Sequence, residues 1–130
     1  MSAAGNRTDS PPDRKIQHLR KFRTLVDEHY RSHRQIEYYA AKLGITTTQL
    51  NRICRKVLGK SALAVINDRV VLEAERDLIY TVLEIKNIAL SLGFGDAAYF
   101  SRFFAKQTGR TPTAFRRHAR AQLGGVDGDA

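Results

Sequence analysis

The stretch IALSLGFGDAAYFSRFFAKQTGRTPTAFR, residues 88–116, repeats at lower fidelity the stretch YAAKLGITTTQLNRICRKVLGKSALAVI, residues 39–66. Each copy has a short apolar segment ending in Leu-Gly, a turn, a second amphipathic segment, and a Gly before the next element. Ala40, Leu43 and Gly44 match Ala89, Leu92 and Gly93 at an offset of 49 residues. Beyond the turn, Leu50, Arg52, Ile53, Cys54, Lys56 and Gly59 match Phe100, Arg102, Phe103, Phe104, Lys106 and Gly109 at an offset of 50. The one-residue change falls in the turn, where it disturbs no helical register. Apolar, basic and closing Gly positions are kept together, which points to one structural unit built twice.

Outward from the repeat, the whole chain reads as helical. Ile16, Leu19, Phe22, Val26 and Tyr30 lie at helical spacing and predict a first helix over about 15–30. A short helix over about 35–43 stops at Gly44, and Thr46 or Thr47 caps the next, which reaches about Val57 before Gly59. Ser61 opens a long helix through about Tyr80, to which Leu63, Ile66, Val70, Leu72 and Leu78 offer packing surface. Ile85–Leu92 forms a second short helix ended by Gly93, and Asp96 caps its successor through about Thr108. Thr111, with Pro112 at the first helical position, begins a last helix through about Gln122. No segment alternates over a strand's length. The expectation is an all-α, seven-helix domain over 15–123, with helix-turn-helix units at about 35–58 and 85–108 joined by a linking helix at about 61–80. Residues 1–14 read as a disordered lead or linker remnant, and 124–130 as a flexible tail.

Composition narrows the function. The chain has 130 residues, 22 Lys and Arg against 13 Asp and Glu, and a formal charge of +9. Such an excess favours a polyanionic partner. No run approaches the roughly 20 apolar residues of a membrane span, and no signal peptide is visible, so a cytoplasmic, nucleoid-associated location without membrane contact is expected. The basic residues crowd 14–60, against only Asp27, Glu28 and Glu37, and 96–123, against only Asp96. Between them lie Asp68, Glu73, Glu75, Asp77 and Glu84. Two DNA-contacting ends joined by a non-contacting rod would be charged in this way. Cys54 is the single cysteine and sits in an apolar stripe, as a packing residue would. His18, His29, His33 and His118 have no zinc-site spacing, and no constellation suits catalysis. Neither an enzyme nor a cofactor or metal is expected.

Within the first unit's second helix, Leu50, Ile53, Cys54 and Val57 form one apolar stripe. The opposite face carries Thr48, Asn51, Arg52 and Arg55. Arg can pair with guanine O6 and N7, and Asn with adenine N6 and N7, when such a helix lies in the major groove. In the second unit Tyr99, Phe100, Phe103 and Phe104 make the apolar side, and Ala97, Ala98, Ser101 and Arg102 face away from it. Only Arg102 has long reach there, so the first unit should supply most direct base selectivity and the second should depend on Arg102 and DNA shape. Lys56, Lys60, Lys106, Arg110, Arg116 and Arg117 sit toward helix ends and suit phosphates, as do the N-termini near Gln35 and Glu84. A linking helix of about 18 residues spans roughly 27 Å. With a small bundle at each end, that can hold two recognition helices near one duplex turn apart, roughly 34 Å.

Residues from about 19 to 117 resemble the DNA-binding domain of the AraC/XylS family of transcription regulators. The resemblance is carried by Ile88 and Ala89, Leu92-Gly93-Phe94, Tyr99-Phe100-Ser101-Arg102, Phe104, Lys106, Gly109, Pro112 and Phe115. It implies seven helices, two helix-turn-helix units and a linking helix. It also implies promoter DNA as ligand, RNA polymerase as partner of an activator, and in many relatives a preceding sensing and dimerisation domain. Carried over by position, Thr48, Asn51 and Arg52 would face bases in the first unit, and Ala97, Ala98, Ser101 and Arg102 in the second. The departures fall mainly outside the signature. Ala62 stands where the family often has Pro, Val65 where it often has an aromatic, Val70 where it often has Arg, with Arg69 adjacent, and Cys54 where Phe is frequent. The alternative reading is a basic helical protein–protein module that binds an acidic partner.

Overall fold

The computed structural model describes residues 11–128, with side chains over 14–123. Among the described residues seven helices follow one another: α1 Pro11–His29, α2 Ile36–Leu43, α3 Thr47–Leu58, α4 Ala62–Tyr80, α5 Ile85–Ser91, α6 Ala97–Thr108 and α7 Pro112–Gly128. There is no strand among the described residues. The chain divides into two compact units, Met1–Arg69 and Val70–Ala130, so that each contains one copy of the repeat.

The first unit buries Leu19, Phe22, Val26 and Tyr30 of α1 with Tyr39 and Ala40 of α2 and Leu50, Ile53 and Cys54 of α3. Phe22 meets the Tyr39 ring edge-on at 5.6 Å, and the Tyr39 hydroxyl donates to the His33 carbonyl at 2.6 Å. The second unit buries Ile88, Ala89, Leu92, Phe94, Phe100, Phe104 and Pro112. Phe94 packs against Phe100 and Phe103 at 5.2 and 5.1 Å, and Phe104 against Phe115 at 5.4 Å. Each fully buried aromatic or aliphatic side chain contributes about 1.5–3 kcal/mol, so these clusters hold the short helices that could not persist alone.

The repeat is reproduced bond by bond. Each short helix closes on the same carbonyl: Ile45 N–H donates to Ala40 O at 3.0 Å, and Phe94 N–H to Ala89 O at 3.0 Å. Each second helix is then capped by a side chain 50 positions from its counterpart. Gln49 N–H donates to Thr46 Oγ1 at 3.0 Å, and Tyr99 N–H to Asp96 Oδ1 at 2.7 Å. The extra residue of the second turn is Gly95, between the closing bond and the cap. Gly59 and Gly109 end these helices at φ +75° and +85°, which a residue with a Cβ rarely adopts, although the space for a Cβ is open. The correspondence continues into the following helices. Ala64 N–H donates to Ser61 Oγ and Ala114 N–H to Thr111 Oγ1, both at 3.1 Å, so Ala62 is the counterpart of Pro112.

Some expectations are corrected. Helix α1 begins at Pro11, inside the presumed lead. Pro is tolerated in a first turn because its missing N–H would be unpaired there anyway. Helix α7 runs to Gly128, past the expected end at Gln122 and through most of the expected tail. Gly124 and Gly125 weaken a helix but keep their N–H groups, and no proline follows to stop it. Residues 1–10 and 129–130 lie outside the described residues. On α4 the buried positions are Ala62, Val65, Ile66, Val70, Ala74 and Leu78, whereas Leu63 and Leu72 are 47% and 42% exposed. Apolar size misleads here, because alanine makes the close contacts and an isolated surface leucine is ordinary. Val57 and Tyr99 are exposed in the same way.

Candidate nucleic-acid interface

In the first unit α3 turns Leu50, Ile53 and Cys54 inward and leaves Thr48, Arg52, Arg55 and Lys56 exposed. The side that is not buried is therefore strongly basic and begins at the Thr46–Gln49 capping box, in which Thr46 N–H also donates to Gln49 Oε1 at 2.9 Å. Such reciprocal capping fixes where the helix starts, and hence which residues share its outer face. Burial pushes the Cys54 thiol up to about 11, against a smaller opposing pull from Arg23. Cys54 is a buried, protonated packing group.

Asn51 departs from the expected face. Its side chain is half-buried, and Oδ1 accepts the N–H of Ala62 at 2.9 Å. A bidentate pair with adenine would draw on that same oxygen, so the structure gives Asn51 a positioning role: it joins α3 to the first turn of α4. In the second unit, the counterpart of Ala62 is Pro112, which has no N–H to satisfy, and the counterpart of Asn51 is Ser101.

The second unit's α6 leaves Ala98 and Arg102 exposed, with Ala97 and Ser101 half-buried. Lys106, Arg110 and Arg117 are exposed near helix ends. Arg116 is not available in the same way. Its Nε donates to Leu78 O at 3.0 Å, Nη1 to Leu83 O at 2.6 Å, and Nη2 to Thr81 O at 3.2 Å and Asp77 O at 3.4 Å. The guanidinium thus caps the carbonyl end of α4 and the turn after it, where a helix end leaves backbone acceptors short of helical partners; Asp77 O also accepts the Thr81 N–H at 3.2 Å. Arg120 adds a bond to Thr81 O at 2.6 Å. Burial, then the neighbouring Arg120, lowers the Arg116 pKa. Arg116 is a structural clamp, a correction to its expected phosphate role. Lys60 lies 2.6 Å from Asp68, but both side chains are about half exposed, and such a surface pair is worth at most about 1 kcal/mol.

Sequence reasoning passed over a further part of this surface. Arg14, Lys15 and His18 of α1 line a groove with Gln49 and Arg52 of α3. The signal was present in PPDRK, which combines prolines suited to a first turn with the start of a basic run. His29 and His33 fall elsewhere: His33 stacks on Tyr38 at 3.7 Å, with His29 edge-on to Tyr38 at 5.5 Å. Among the described residues no three His, Cys, Asp or Glu side chains are grouped to hold a metal ion, and no helix is long and apolar enough to cross a membrane.

Comparison with known proteins places this geometry. A helix-turn-helix domain family matches residues 39–118. The regulatory protein SoxS of Escherichia coli is 34% identical over 91 residues, covering 70% of this chain and 85% of that protein. The arabinose operon regulatory protein of Salmonella typhimurium is 33% identical over 92 residues, covering 71% of this chain and 31% of that protein. The chain spans about a third of the length of several such curated relatives. Among solved structures, the C-terminal domain of AraT, a response regulator from Geobacillus stearothermophilus, superposes with a TM-score of 0.73 at 28% identity, covering 84% of this chain and 86% of that one. The DNA-binding domain of AdpA, solved in complex with a target DNA, gives a TM-score of 0.71 at 25% identity, covering 80% and 94%. Two capped helix-turn-helix units, matched in sequence and in three dimensions, make this chain a member of the AraC/XylS-type helix-turn-helix family of transcription regulators.

Proposed function

We propose that this chain binds duplex DNA sequence-specifically and regulates transcription, with α3 and α6 each lying in a major groove and the two grooves successive. One observation carries the reading: the second helix of each unit buries its apolar side and exposes an Arg at the same repeat position, Arg52 and Arg102. Thr48, Arg52 and Arg55 would read bases from α3. Ala97, Ala98, Ser101 and Arg102 would do so from α6, the small residues allowing close approach or contact with thymine methyls. Lys56, Lys60, Lys106, Arg110 and Arg117 would hold phosphates. The N-terminus of α2, whose Gln35 makes no side-chain cap bond, leaves backbone N–H groups free for another. The likeness to a domain solved on its target DNA supports this assignment. Activation through contact with RNA polymerase, and coupling to a sensing and dimerisation domain in the native polypeptide, extend the same proposal.

Selection from a randomised duplex pool tests it. The expected product is one asymmetric motif about two turns long, with more information under α3 than under α6. Arg52→Ala should relax one position of the motif at a cost of about 1–3 kcal/mol. Equal binding to any duplex and to an acidic polypeptide would instead favour a basic protein–protein module.

A further inference from the structure

The first turns of α1 lie beside α3 and enclose a groove of about 230 Å³. Arg14, Lys15 and His18 enter it from α1, and Arg52 with Gln49 from α3. Its floor includes Ile53, only 7% exposed. Among the described residues no Asp or Glu lines it, and none of its three cationic side chains has a hydrogen bond or ion pair. Elsewhere in this unit cations do find acids, as Lys60 finds Asp68 and Arg69 finds Asp27. Like charges held round a groove with an apolar floor repel one another, and an anion placed among them relieves that repulsion.

We propose that this groove is a binding site for a phosphodiester of the DNA backbone, flanking the base pairs that α3 reads. The inference rests on the DNA-binding reading above. Position selects the backbone of the bound duplex as the source of the anion. Arg52 belongs both to the groove and to the exposed face of α3, and Thr48 lies one turn before it on that face. A duplex seated on that face brings its own phosphates past the groove mouth. Arg14 and Lys15 then act as a clamp from α1, an element outside the helix-turn-helix itself. His18 supplies a ring N–H donor.

Ethylation interference and salt-dependent binding on a duplex carrying the selected motif test the site, with the wild-type chain and the double variant Arg14→Gln/Lys15→Gln. Arg14 is exposed and Lys15 partly so, and an unchanged melting curve would show that only the charges have been lost. Ethylating one phosphate outside the α3 base pairs should weaken wild-type binding and leave the variant indifferent. For each contact removed, the affinity lost between 50 and 200 mM salt should shrink by about 3.5-fold, the fourfold salt change raised to the power 0.9. Identical ethylation patterns and salt slopes overturn the proposal. So does weaker binding of inorganic pyrophosphate by the variant with unchanged DNA binding, which makes the groove a small-anion site. If the wild-type chain selects a motif and only the clamp results fail, this inference alone falls. If no motif is selected, both readings fall.

Discussion

The Asn51–Ala62 bond allows a sharp test of how the first unit is held together. Ala62 is the first residue of α4, its side chain is fully buried, and its N–H is one of the donors that a helix start leaves without a partner. Ser61 serves Ala64, so Ala62 depends on Asn51 Oδ1 at 2.9 Å. Asn51→Ala strands that donor, which should cost about 1–3 kcal/mol. Ala62→Pro removes the donor itself and copies the arrangement of the second unit, where Pro112 opens α7 and is fully buried. In the Ala62→Pro background, Asn51→Ala should therefore cost little. The cycle isolates the bond even if the added ring volume makes Ala62→Pro costly alone, because that cost is common to both proline-containing proteins. Urea unfolding of the four proteins at pH 7 gives the coupling, expected at about 1 kcal/mol or more. If Asn51→Ala costs the same in both backgrounds, to within about 0.5 kcal/mol, Asn51 does not act through the Ala62 N–H and the latch is refuted. The same variant should keep the sequence motif of the wild-type chain, unlike Arg52→Ala.

Arg116→Ala should destabilise the second unit by about 2–3 kcal/mol, since it strands carbonyls at the end of α4, yet leave the salt slope of DNA binding unchanged. Arg117→Ala should do the opposite, lowering the slope by about 0.9 with little change in melting temperature. Stability should also fall at alkaline pH. The unfolded Cys54 thiol ionises near its ordinary 9.0 and the folded one near 11, so the native state keeps a proton that the unfolded state has lost between those values. Stability from this group is complete below pH 9 and declines as pH rises towards 11, by of order 2 kcal/mol. Tyr39, pushed by burial up to about 12, adds to the decline above pH 10. Urea midpoints of wild type and Cys54→Ala across pH 7–11 read this, and equal slopes between pH 9 and 11 would remove Cys54 as a cause.

Much of this was legible in the chain because helix signals are local. A cap lies within three residues of the N–H it serves, and an apolar stripe repeats every three or four. Ser61, Asp96 and Thr111 could thus be named as caps, and the third helix's cap narrowed to Thr46 or Thr47; all three are caps, and Thr46 is the fourth. The start of α1 and the end of α7 were less legible, because Pro and Gly bias a boundary without fixing it. Side chains of mixed character were the least legible. On a helical wheel Asn51 sits with Thr48 and Arg52, and nothing local distinguishes a base reader from a residue with another acceptor duty.

By itself, then, the sequence determined seven helices, the duplicated unit, and an outward basic side on α3 and α6. Those follow from periodicity, capping chemistry and charge, all of which act within a few residues. Only the tertiary structure decided which polar groups are already spent and which remain free. Asn51 is bound 11 residues away at Ala62, and Arg116 reaches carbonyls at Asp77, Leu78, Thr81 and Leu83, 33 to 39 residues back. Arg14, expected in a linker remnant, and Lys15, expected at the start of the first helix, share a groove with Arg52 only once α1 has packed beside α3. A hydrogen-bonding side chain takes the partner that folding brings within 3 Å, and that proximity is set by packing between helices distant in sequence.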